Sequence, residues 1–419
     1  MVPSPPLAAG RTIDAASAPT LICSRVWPRV ASSLSSLAKS RAGLARGQGD
    51  RQGTSMATRV AIENLREFIA ALLRAGGFKE DDVLVGTDAF LLQEMRGVQT
   101  HALRRLRGMI EGIGTGEINP NPKRRVLHEH QAAVIVDGDF GLGISSCMMA
   151  MEQALRLAKR FGIGLCVLLN SNHFLAAAPY CMRAADEGAI GLAFANGFGG
   201  MAYPGTNVSA LGNSPLGFAL PTGAGFPIVF DAALTLSGGK LTQWAKHGVS
   251  IPDGFLGYDA SGNYTSDPAS VLAGGVPLPI GLHKGAGLGI LVDVLTGVIG
   301  GTSFLRSLVP EEHPEWRRTA STHSFIAIDI ESFMPVSAFR GRMAAYVAEL
   351  KSKPLAPGYD EILLPGERAA RCIEDCRRHG VPLQDDVVAR LADLSRRYGV
   401  PMPFAHSVGE DSQPSEGHV

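Results

Sequence analysis

Short apolar runs alternate with amphipathic segments between residues 130 and 196, and this alternation limits the possible folds more than any other feature of the sequence. The strand-like run HQAAVIVDGD comes before a helix-like segment, MMAMEQALRLAKRFG, which ends at Gly162. IGLCVLL, AAAPYCMRAADEG and IGLAFAN then repeat the order strand, helix, strand. Strands and helices that alternate in such short units are typical of an α/β layer. The sequence therefore predicts the α/β class.

Helix-like segments flank this layer on both sides. The first, VAIENLREFIAALLRAGG, places five apolar side chains on one face and stops at two glycines, as an amphipathic helix does. These side chains are Leu65, Phe68, Ile69, Leu72 and Leu73. A second helix, from about Asp82 to Met95, leads into RGVQTHALRRLRGMIEGI. We predict further helices over residues 336–350 and 366–379 and before Tyr398, and a buried helix in HKGAGLGILVDVLTGVIGGTSF.

The stretch from about Gly197 to Asp267 is different, because it is dense in Gly, Pro and Asn. The whole chain has 50 glycines without a repeating period, which suggests many tight turns and close backbone approaches. We predict short strands joined by turns here. Several of these turns could present backbone N–H groups to a ligand.

Charge and hydropathy narrow the kinds of partner. The chain has 39 Lys and Arg against 39 Asp and Glu, whereas nucleic acids and anionic membranes require a basic surface. No run of 18 or more apolar residues occurs, so we expect no membrane-spanning helix. A small molecule is therefore the expected partner, with neither nucleic acid nor membrane.

Cysteine usage indicates a reducing compartment. The six cysteines lie far apart in a long chain, mostly in apolar or helix-like segments, which is typical of free thiols in a cytoplasmic protein. Cys372 and Cys376 have the i, i+4 spacing of a helix, but no histidine pair accompanies them. We interpret them as packing residues and not as metal ligands.

The two termini differ in kind from the rest of the chain. Residues 1–55 are rich in Ser, Ala and Arg and show no period, whereas Met56 opens a periodic segment. An organellar transit peptide and a start codon placed too early in the gene both explain this extension, and we favour the second. We expect residues 1–55 to be disordered and residues 406–419 to form a flexible polar tail.

Familiar catalytic motifs do not account for the sequence. GDFGLG has the wrong glycine spacing for a Rossmann dinucleotide site, and GAGLGI after Lys284 lacks the ribose-binding acid about twenty residues on. A nucleophile elbow, a P-loop and a zincin motif are also missing. A metal site would combine His101, His173, Asp137 and Asp139, but these residues lack a tight ligand spacing, so we expect no metal.

Two histidines are the best candidates for proton transfer. His101 and His173 each lie at a junction between apolar elements, beside hydroxyl or amide side chains that could orient an imidazole. A structural role for each is an equally good interpretation of these positions. His283 and His323 stay undecided, and His128 and His130 are expected on the solvated face of an edge strand.

Eight collinear blocks carry a resemblance to one enzyme family. They are TDAFLLQEMRGVQTHALRRL, VDGDFGLG, GIGLCVLLNSNHF, GAIGLAFANG, LGNSPLGFALPT, IPDGFLGYDASGNYTSDP, HKGAGLGILVDVLTGVIGG and LPGER. Together they resemble the malate/L-lactate dehydrogenase family of the non-Rossmann type, over roughly residues 57 to 405. That family also includes ureidoglycolate, sulfolactate, diketogulonate and cyclic-imine enzymes.

The resemblance implies a fold, a cofactor and an assembly. It implies an NAD(P)H-dependent oxidoreductase, usually a homodimer, with an α/β/α cofactor domain on a mixed sheet unrelated to the Rossmann fold. A mainly helical substrate domain would be formed from residues 56–130 and 310–405, and the NAD(P)-binding domain from residues 131–309. The expected substrate is a small carboxylate.

The resemblance also implies roles for individual residues. His101 and His173 would be acid/base residues, and Arg105 would bind the substrate carboxylate. Cofactor contacts would fall on Asp231, Ala232, Ala233, Lys284, Gly366 and Glu367, and on Gly197, where a serine of the family can bind cofactor. Thr100 and Ala102 replace the usual Ser and Gly around His101, and Leu175 stands where glycine is usual.

The sequence therefore leaves alternatives open for the substrate and for the functional class of the protein. The resemblance fits a 2-oxo or 2-hydroxy acid, a cyclic imino acid or a sugar acid. A metal-dependent hydrolase would use the His/Asp set. A cofactor-binding protein with weakened turnover would follow from the altered neighbours of the histidines.

Overall fold

The computed structural model describes residues 58–197, 200–252, 256–305 and 321–404. Its centre is a sheet of seven strands, which are β2 (Arg125–His130), β3 (Ala133–Asp137), β4 (Ile163–Ser171), β5 (Ala189–Ala195), β8 (Leu216–Leu220), β9 (Ile228–Ala232) and β13 (Ser321–Asp329). Their order across the sheet is β2-β3-β4-β13-β5-β8-β9. β3 and β4 run parallel, whereas all other neighbours in this sheet are antiparallel. The predicted mixed, non-Rossmann sheet is confirmed.

Smaller strands and the helices complete the element list. The strands are β1 (Thr58–Val60), β6 (Met201–Ala202), β7 (Ser209–Leu211), β10 (Gly257–Tyr258), β11 (Tyr264–Thr265), β12 (Val276–Pro277) and β14 (Val381–Leu383). The helices are α1 (Ile62–Ala75), α2 (Glu80–Met95), α3 (Leu106–Gly114), α4 (Gly143–Phe161), α5 (Ala178–Asp186), α6 (Gly238–Lys246), α7 (Pro268–Leu272), α8 (His283–Asp293), α9 (Val336–Lys351), α10 (Glu367–His379) and α11 (Asp385–Tyr398). Gln99–His101 and Leu103–Arg105 form two 3₁₀ turns. The expectations for residues 1–55 and 406–419 lie outside the described residues.

Helices cover both faces of the sheet. Cys166 and Leu168 of β4 belong to the apolar core shared with α4 and α5. Val167 and Leu169 point to the other face, where they approach Gly300, just beyond α8 and its π-helical continuation Val294–Val298. This alternation follows from the period of two along a strand. The result is the predicted α/β/α arrangement.

One end of the sheet gathers the ends of several strands. Asp137 at the end of β3 pairs with Leu169 near the end of β4. Ser171, the last residue of β4, pairs with Ser321, the first of β13. Beyond β13, Ala195 at the end of β5 pairs with His323, and Ala232 at the end of β9 pairs with Leu216. The loops that follow β4, β5 and β9 therefore emerge side by side.

A second apolar core joins the two ends of the described chain. It is built from α1, α2 and α3 together with β14 and α11, and β1 pairs with β14. The five apolar side chains predicted on one face of α1 are all buried in it. The segment 310–405 is not wholly part of this helical region, however. Its residues 321–329 form β13, a largely buried central strand of the sheet that pairs with β4 and β5.

Two further expectations need correction. The helix predicted in HKGAGLGILVDVLTGVIGGTSF forms, but it is not buried, because one stripe of it contacts the sheet while Leu291, Val298 and other apolar residues stay exposed. Helix α6 was missed in the glycine-rich stretch. Gly238 and Gly239 at its start weaken the sequence signal for a helix, and Ser237 caps it by accepting a hydrogen bond from Lys240 N–H. No helix in the described part of the chain is long and apolar enough to cross a membrane.

Candidate active site

The structure brings the two candidate histidines together. His101 ends the first 3₁₀ turn, and His173 follows β4 by two residues. Their imidazole rings stack with centroids 5.8 Å apart and an interplanar angle of 16°. His173 is exposed and His101 half-buried, so both rings are accessible from solvent. Two residues that are far apart in the sequence thus form one site.

The backbone before His173 is held by a tight loop of residues 137–143. The Asn172 amide donates hydrogen bonds to the carbonyl oxygens of Phe140 (2.8 Å) and Gly141 (2.9 Å). A Cβ at Gly143 would lie 2.5 Å from the Asn172 carbonyl oxygen, so only glycine permits this approach. Asp139 and Phe140 in this loop have φ of 49° and 52°, a left-handed conformation that is disfavoured for non-glycine residues. Such strain is typical of functional sites.

Both imidazoles are held in the neutral form in the free protein. Burial, and then the Arg105 guanidinium, lower the pKa of His101 to about 4. Dense protein packing around His173, together with His101, Arg105 and His323, places the pKa of His173 below that of a free imidazole. Packing around the ring is the largest cause of this shift, and the positive charge of Arg105 acts in the same direction.

Arg105 supplies an exposed cation next to the pair. It ends the second 3₁₀ turn, and its Nε donates to the Thr100 carbonyl oxygen at 3.2 Å. This bond orients the guanidinium and leaves its two terminal nitrogens as donors. A planar fork of this kind suits a carboxylate. The site can therefore hold an anionic group beside two imidazoles.

His323, which the sequence left undecided, belongs to the same cluster. Its Nε2 lies 3.1 Å from the Asn172 carbonyl oxygen, and its ring stacks on Phe174 with centroids 4.9 Å apart. Burial lowers the pKa of His323 to about 4. Because a carbonyl can only accept, Nε2 must donate, and His323 positions the residue before His173.

Glu94 is a residue that the sequence reasoning missed. It lies near the end of α2, is 4% exposed, and accepts a hydrogen bond from the Leu103 N–H at 3.2 Å. Leu103 lies between His101 and Arg105, so Glu94 fixes the segment that carries both. Burial raises the pKa of the Glu94 carboxyl to about 7. Its signal in the sequence is an acid inside an otherwise apolar helical stretch just before the histidine.

Replacing Glu94 by glutamine should change how stability depends on pH. A carboxyl whose pKa is raised in the fold stabilises the protein at pH values below its ordinary pKa of 4.5. This stabilisation is lost as the pH rises through about 7, the pKa of the carboxyl in the fold. Relative to Glu94→Gln, the wild-type protein should therefore lose on the order of 3 kcal/mol between about pH 4 and about pH 8. Urea unfolding across this range measures the difference.

Glu67→Gln is the matched control, because Glu67 is an exposed carboxyl on α1. Its free energy of unfolding should lie within about 0.5 kcal/mol of the wild-type value, because substitutions at exposed positions change stability little. A difference between the wild-type protein and Glu94→Gln that does not change with pH would show that Glu94 does not hold its proton in the fold.

Asp231 lies near the end of β9 and is joined to the loop of His173. Its carboxylate accepts a hydrogen bond from the Ala178 N–H at 2.8 Å and so caps the start of α5. Burial raises the pKa of Asp231, against the effect of that bond. Ala232 and Ala233 follow directly and are half-buried. The structure thus places these three residues at the same end of the sheet as the histidines.

Gly366 and Glu367 lie against the same strand. The Pro365 carbonyl accepts from Val229 N–H of β9 at 3.0 Å. Gly366 has φ 88°, and a Cβ there would lie 2.8 Å from Val229 N, so glycine is required. The Glu367 carboxylate accepts from Lys351, Arg371 and Leu364 N–H. Glu367 therefore closes its own loop with its side chain.

A chain of contacts connects Gly197, which follows β5, with the segment just before Lys284 of α8. A Cβ at Gly197 would lie 2.8 Å from the Asn213 Oδ1, and Asn213 accepts at its carbonyl from Leu234 N–H. Leu234 in turn accepts from Ile280 N–H, shortly before α8. Lys284 is exposed in the first turn of α8, and its side chain makes no hydrogen bond or ion pair with another described residue. A lysine at a helix N-terminus suits a phosphate.

The metal alternative finds no support in this arrangement. Asp137 accepts from Asp139 N–H and the Asn170 amide, and Asp139 accepts from the Asn119 amide and Lys123 N–H. Within residues 58–404, as far as they are described, no three His, Cys, Asp or Glu side chains are grouped so as to hold a metal ion. These two aspartates shape the loop instead.

Known proteins share this architecture. A family model described as malate/L-lactate dehydrogenase matches residues 60–392. A malate dehydrogenase of Pyrococcus abyssi is 31% identical over 350 residues, which cover 82% of this chain and 95% of that protein. An L-sulfolactate dehydrogenase of Methanocaldococcus jannaschii is 31% identical over 339 residues, or 81% and 96% of the two chains. The crystal structure of a malate dehydrogenase from Entamoeba histolytica superimposes with a TM-score of 0.78 at 27% identity, covering 83% of this chain and 100% of that one.

Proposed function

The chain belongs to the malate/L-lactate dehydrogenase family and is an oxidoreductase, and on that premise we propose that it transfers a hydride between a nicotinamide cofactor and a small 2-oxo or 2-hydroxy acid. The observation that carries this proposal is the stacked pair His101 and His173 beside the Arg105 guanidinium. Reduction of a 2-oxo acid needs a proton partner for the carbonyl oxygen and a cation for the carboxylate. The two imidazoles supply the proton partner, and the Arg105 guanidinium beside them supplies the cation.

Residues around the ends of β5 and β9 fit a nicotinamide dinucleotide. Gly197 follows β5, Gly366 packs against Val229 near the start of β9, and Lys284 at the start of α8 offers a cation for the pyrophosphate. Between these elements and His173 lies the end of β9, with Asp231, Ala232 and Ala233. Glu367 shapes the turn that carries Gly366. When bound, the nicotinamide accepts or donates the hydride, while the protein holds the substrate and its proton.

The test is the change in nicotinamide absorbance with the purified protein. NADH and NADPH are supplied separately with oxaloacetate, pyruvate, a ketogulonate-like sugar acid and a cyclic imino acid. Turnover of oxaloacetate or pyruvate is the expected result, and it also decides between the two cofactors. Turnover of the imino acid or sugar acid alone would replace the proposed substrate class. Cofactor binding without any turnover would contradict the proposal.

We also propose that cofactor binding and substrate binding belong to two different regions of the chain, and that the protein acts in the cytoplasm. Residues 131–309 together with β13 would bind the cofactor, and the helical region around α1 to α3 and α11 would complete the substrate site. The described cysteines support a reducing compartment, since Cys147, Cys166, Cys181, Cys372 and Cys376 are all free thiols.

A homodimer would cover the apolar stripe of α8 and its π-helical continuation. Leu291, Val294 and Val298 share this stripe and are 47%, 42% and 47% exposed. A continuous apolar surface of this kind marks a protein interface, and the occupant we propose is a second copy of this chain.

Sedimentation of the wild-type protein should show a dimer. The double variant Leu291→Glu, Val298→Glu should be a monomer, whereas the control Leu272→Glu, on α7, should remain a dimer. A wild-type monomer would contradict this assembly.

A further inference from the structure

We propose that His101 exchanges the substrate proton, whereas His173 stays neutral and only donates a hydrogen bond to the reacting oxygen. This inference rests on the proposed function and gives the two stacked rings different roles. It follows from the partner of Nδ1 in each ring. A backbone amide can only donate a hydrogen bond, but a hydroxyl can donate or accept.

The hydrogen bond to Nδ1 fixes the protonation state of His173. The Leu175 N–H donates to this nitrogen at 3.1 Å. A proton on Nδ1 would break that bond and place two N–H groups against each other. The titratable and charged groups that face the ring, His101, Arg105 and His323, add positive charge or none. The ring therefore carries its single hydrogen on Nε2 and does not become an imidazolium.

The turn around His173 cannot easily rotate to free Nδ1. On one side, the Asn172 carbonyl accepts from His323 Nε2, and the Asn172 amide bonds to the loop at Phe140 and Gly141. On the other side, Leu175 is buried and has φ 64°, a conformation that is disfavoured for leucine. Strain that persists in a well-held turn points to a functional constraint. A neutral imidazole held in this way can still polarise a carbonyl through Nε2–H.

His101, unlike His173, can keep its hydrogen bond at Nδ1 whether or not that nitrogen carries a proton. Its Nδ1 lies 2.9 Å from the Thr100 hydroxyl, which can donate to the bare nitrogen or accept from a protonated one. Arg105, which lies beside the ring, disfavours the imidazolium in the free protein. A substrate carboxylate bound to Arg105 offsets that charge, because an opposite charge nearby favours the protonated ring. Substrate binding therefore makes both states of His101 accessible.

The proton balance of the reaction follows from these states. In the oxidation direction, the substrate hydroxyl proton moves to Nε2 of His101, and the C=O bond forms as the C–H bond breaks. The hydride, with the electron pair of that C–H bond, would pass to the oxidised nicotinamide of the proposed function. His173 Nε2–H donates a hydrogen bond to that oxygen throughout. In the reduction direction, the His101 imidazolium returns the proton to the oxygen.

Glutamine variants of the two histidines separate the roles in turnover. A glutamine amide cannot titrate, but its nitrogen can donate a hydrogen bond from about the position of Nε2. His101→Gln should lower kcat about 10³-fold and remove the imidazole titration from the pH dependence of kcat. His173→Gln should lower kcat about tenfold and keep that titration. Loss of the titration in His173→Gln would overturn the assignment, whatever His101→Gln does.

Nitrogen NMR of the protein labelled with ¹⁵N-histidine provides a readout that does not depend on turnover. The His173 resonance is identified by its loss in His173→Gln. It should report a neutral ring with hydrogen on Nε2 from about pH 5 to about pH 9. A titrating His173, or a hydrogen on Nδ1, would overturn the assignment. If the wild-type protein shows no turnover with any substrate, the proposed function fails, but this spectrum still decides the state of His173.

Discussion

Arg105→Ala should lower kcat/KM for a 2-oxo acid about 10³-fold, which corresponds to about 4 kcal/mol of lost transition-state stabilisation. The guanidinium is exposed beside the stacked histidines, and its Nε is occupied by the Thr100 carbonyl, so the terminal nitrogens are left for a carboxylate. Lysine cannot reproduce two parallel hydrogen bonds, so Arg105→Lys should still lose about 10²-fold. Steady-state kinetics with both cofactors measures these losses.

Arg107→Ala is the matched control, since Arg107 lies two residues further along and forms exposed ion pairs with Glu111 and Asp393. Removing exposed pairs changes stability little, and activity should be kept. Guanidinium ion added to Arg105→Ala should restore part of the rate if the lost group acts on the carboxylate. A rate for Arg105→Ala within a few-fold of wild type would place the carboxylate elsewhere.

The sequence predicts elements well where one physical signal dominates. The apolar face of α1 has a clear period of 3.6, and all five of its predicted core residues are buried. The central strands and helices likewise follow from their apolar runs. Helix α6 was missed because two glycines begin it, and helix α8 was placed in the interior because its apolar residues surround the helix. Nothing in such a pattern distinguishes a stripe that packs on a sheet from one left at the surface.

The candidate site shows a similar limit. His101 and His173 could be singled out from their polar neighbours, but their separation of 5.8 Å depends on how a 3₁₀ turn meets the end of β4. The roles of Glu94 and His323 depend on single hydrogen bonds to distant backbone groups, Leu103 N–H and the Asn172 carbonyl. Sequence spacing carries no information about such pairs. Hydrogen-bond partners also decide the protonation states, so the ranking of the two histidines needed the structure.

Gly164→Ala should destabilise the fold by about 4 kcal/mol, at the upper end for a single substitution. Gly164 lies in β4, where α4 crosses the sheet. A Cβ there would overlap the Ala154 carbonyl oxygen and lie 2.8 Å from Ala158 N, and neither backbone atom can move without shifting the helix. The residues that end β4 lead directly into His173, so the same shift would displace the site. Urea unfolding measures the loss of stability, and the nitrogen spectrum of His173 reports the displacement.

Gly341→Ala makes the same chemical change where nothing opposes it. Gly341 is exposed inside α9, and a Cβ there would meet no atom within 4 Å. Alanine favours the helix, so this variant should be more stable than wild type by about 0.5 to 1 kcal/mol. Because the added methyl group is identical, the opposite signs at the two positions isolate the contact between α4 and β4 as the cause. Equal effects at both positions would show that this close approach does not hold the sheet and the site together.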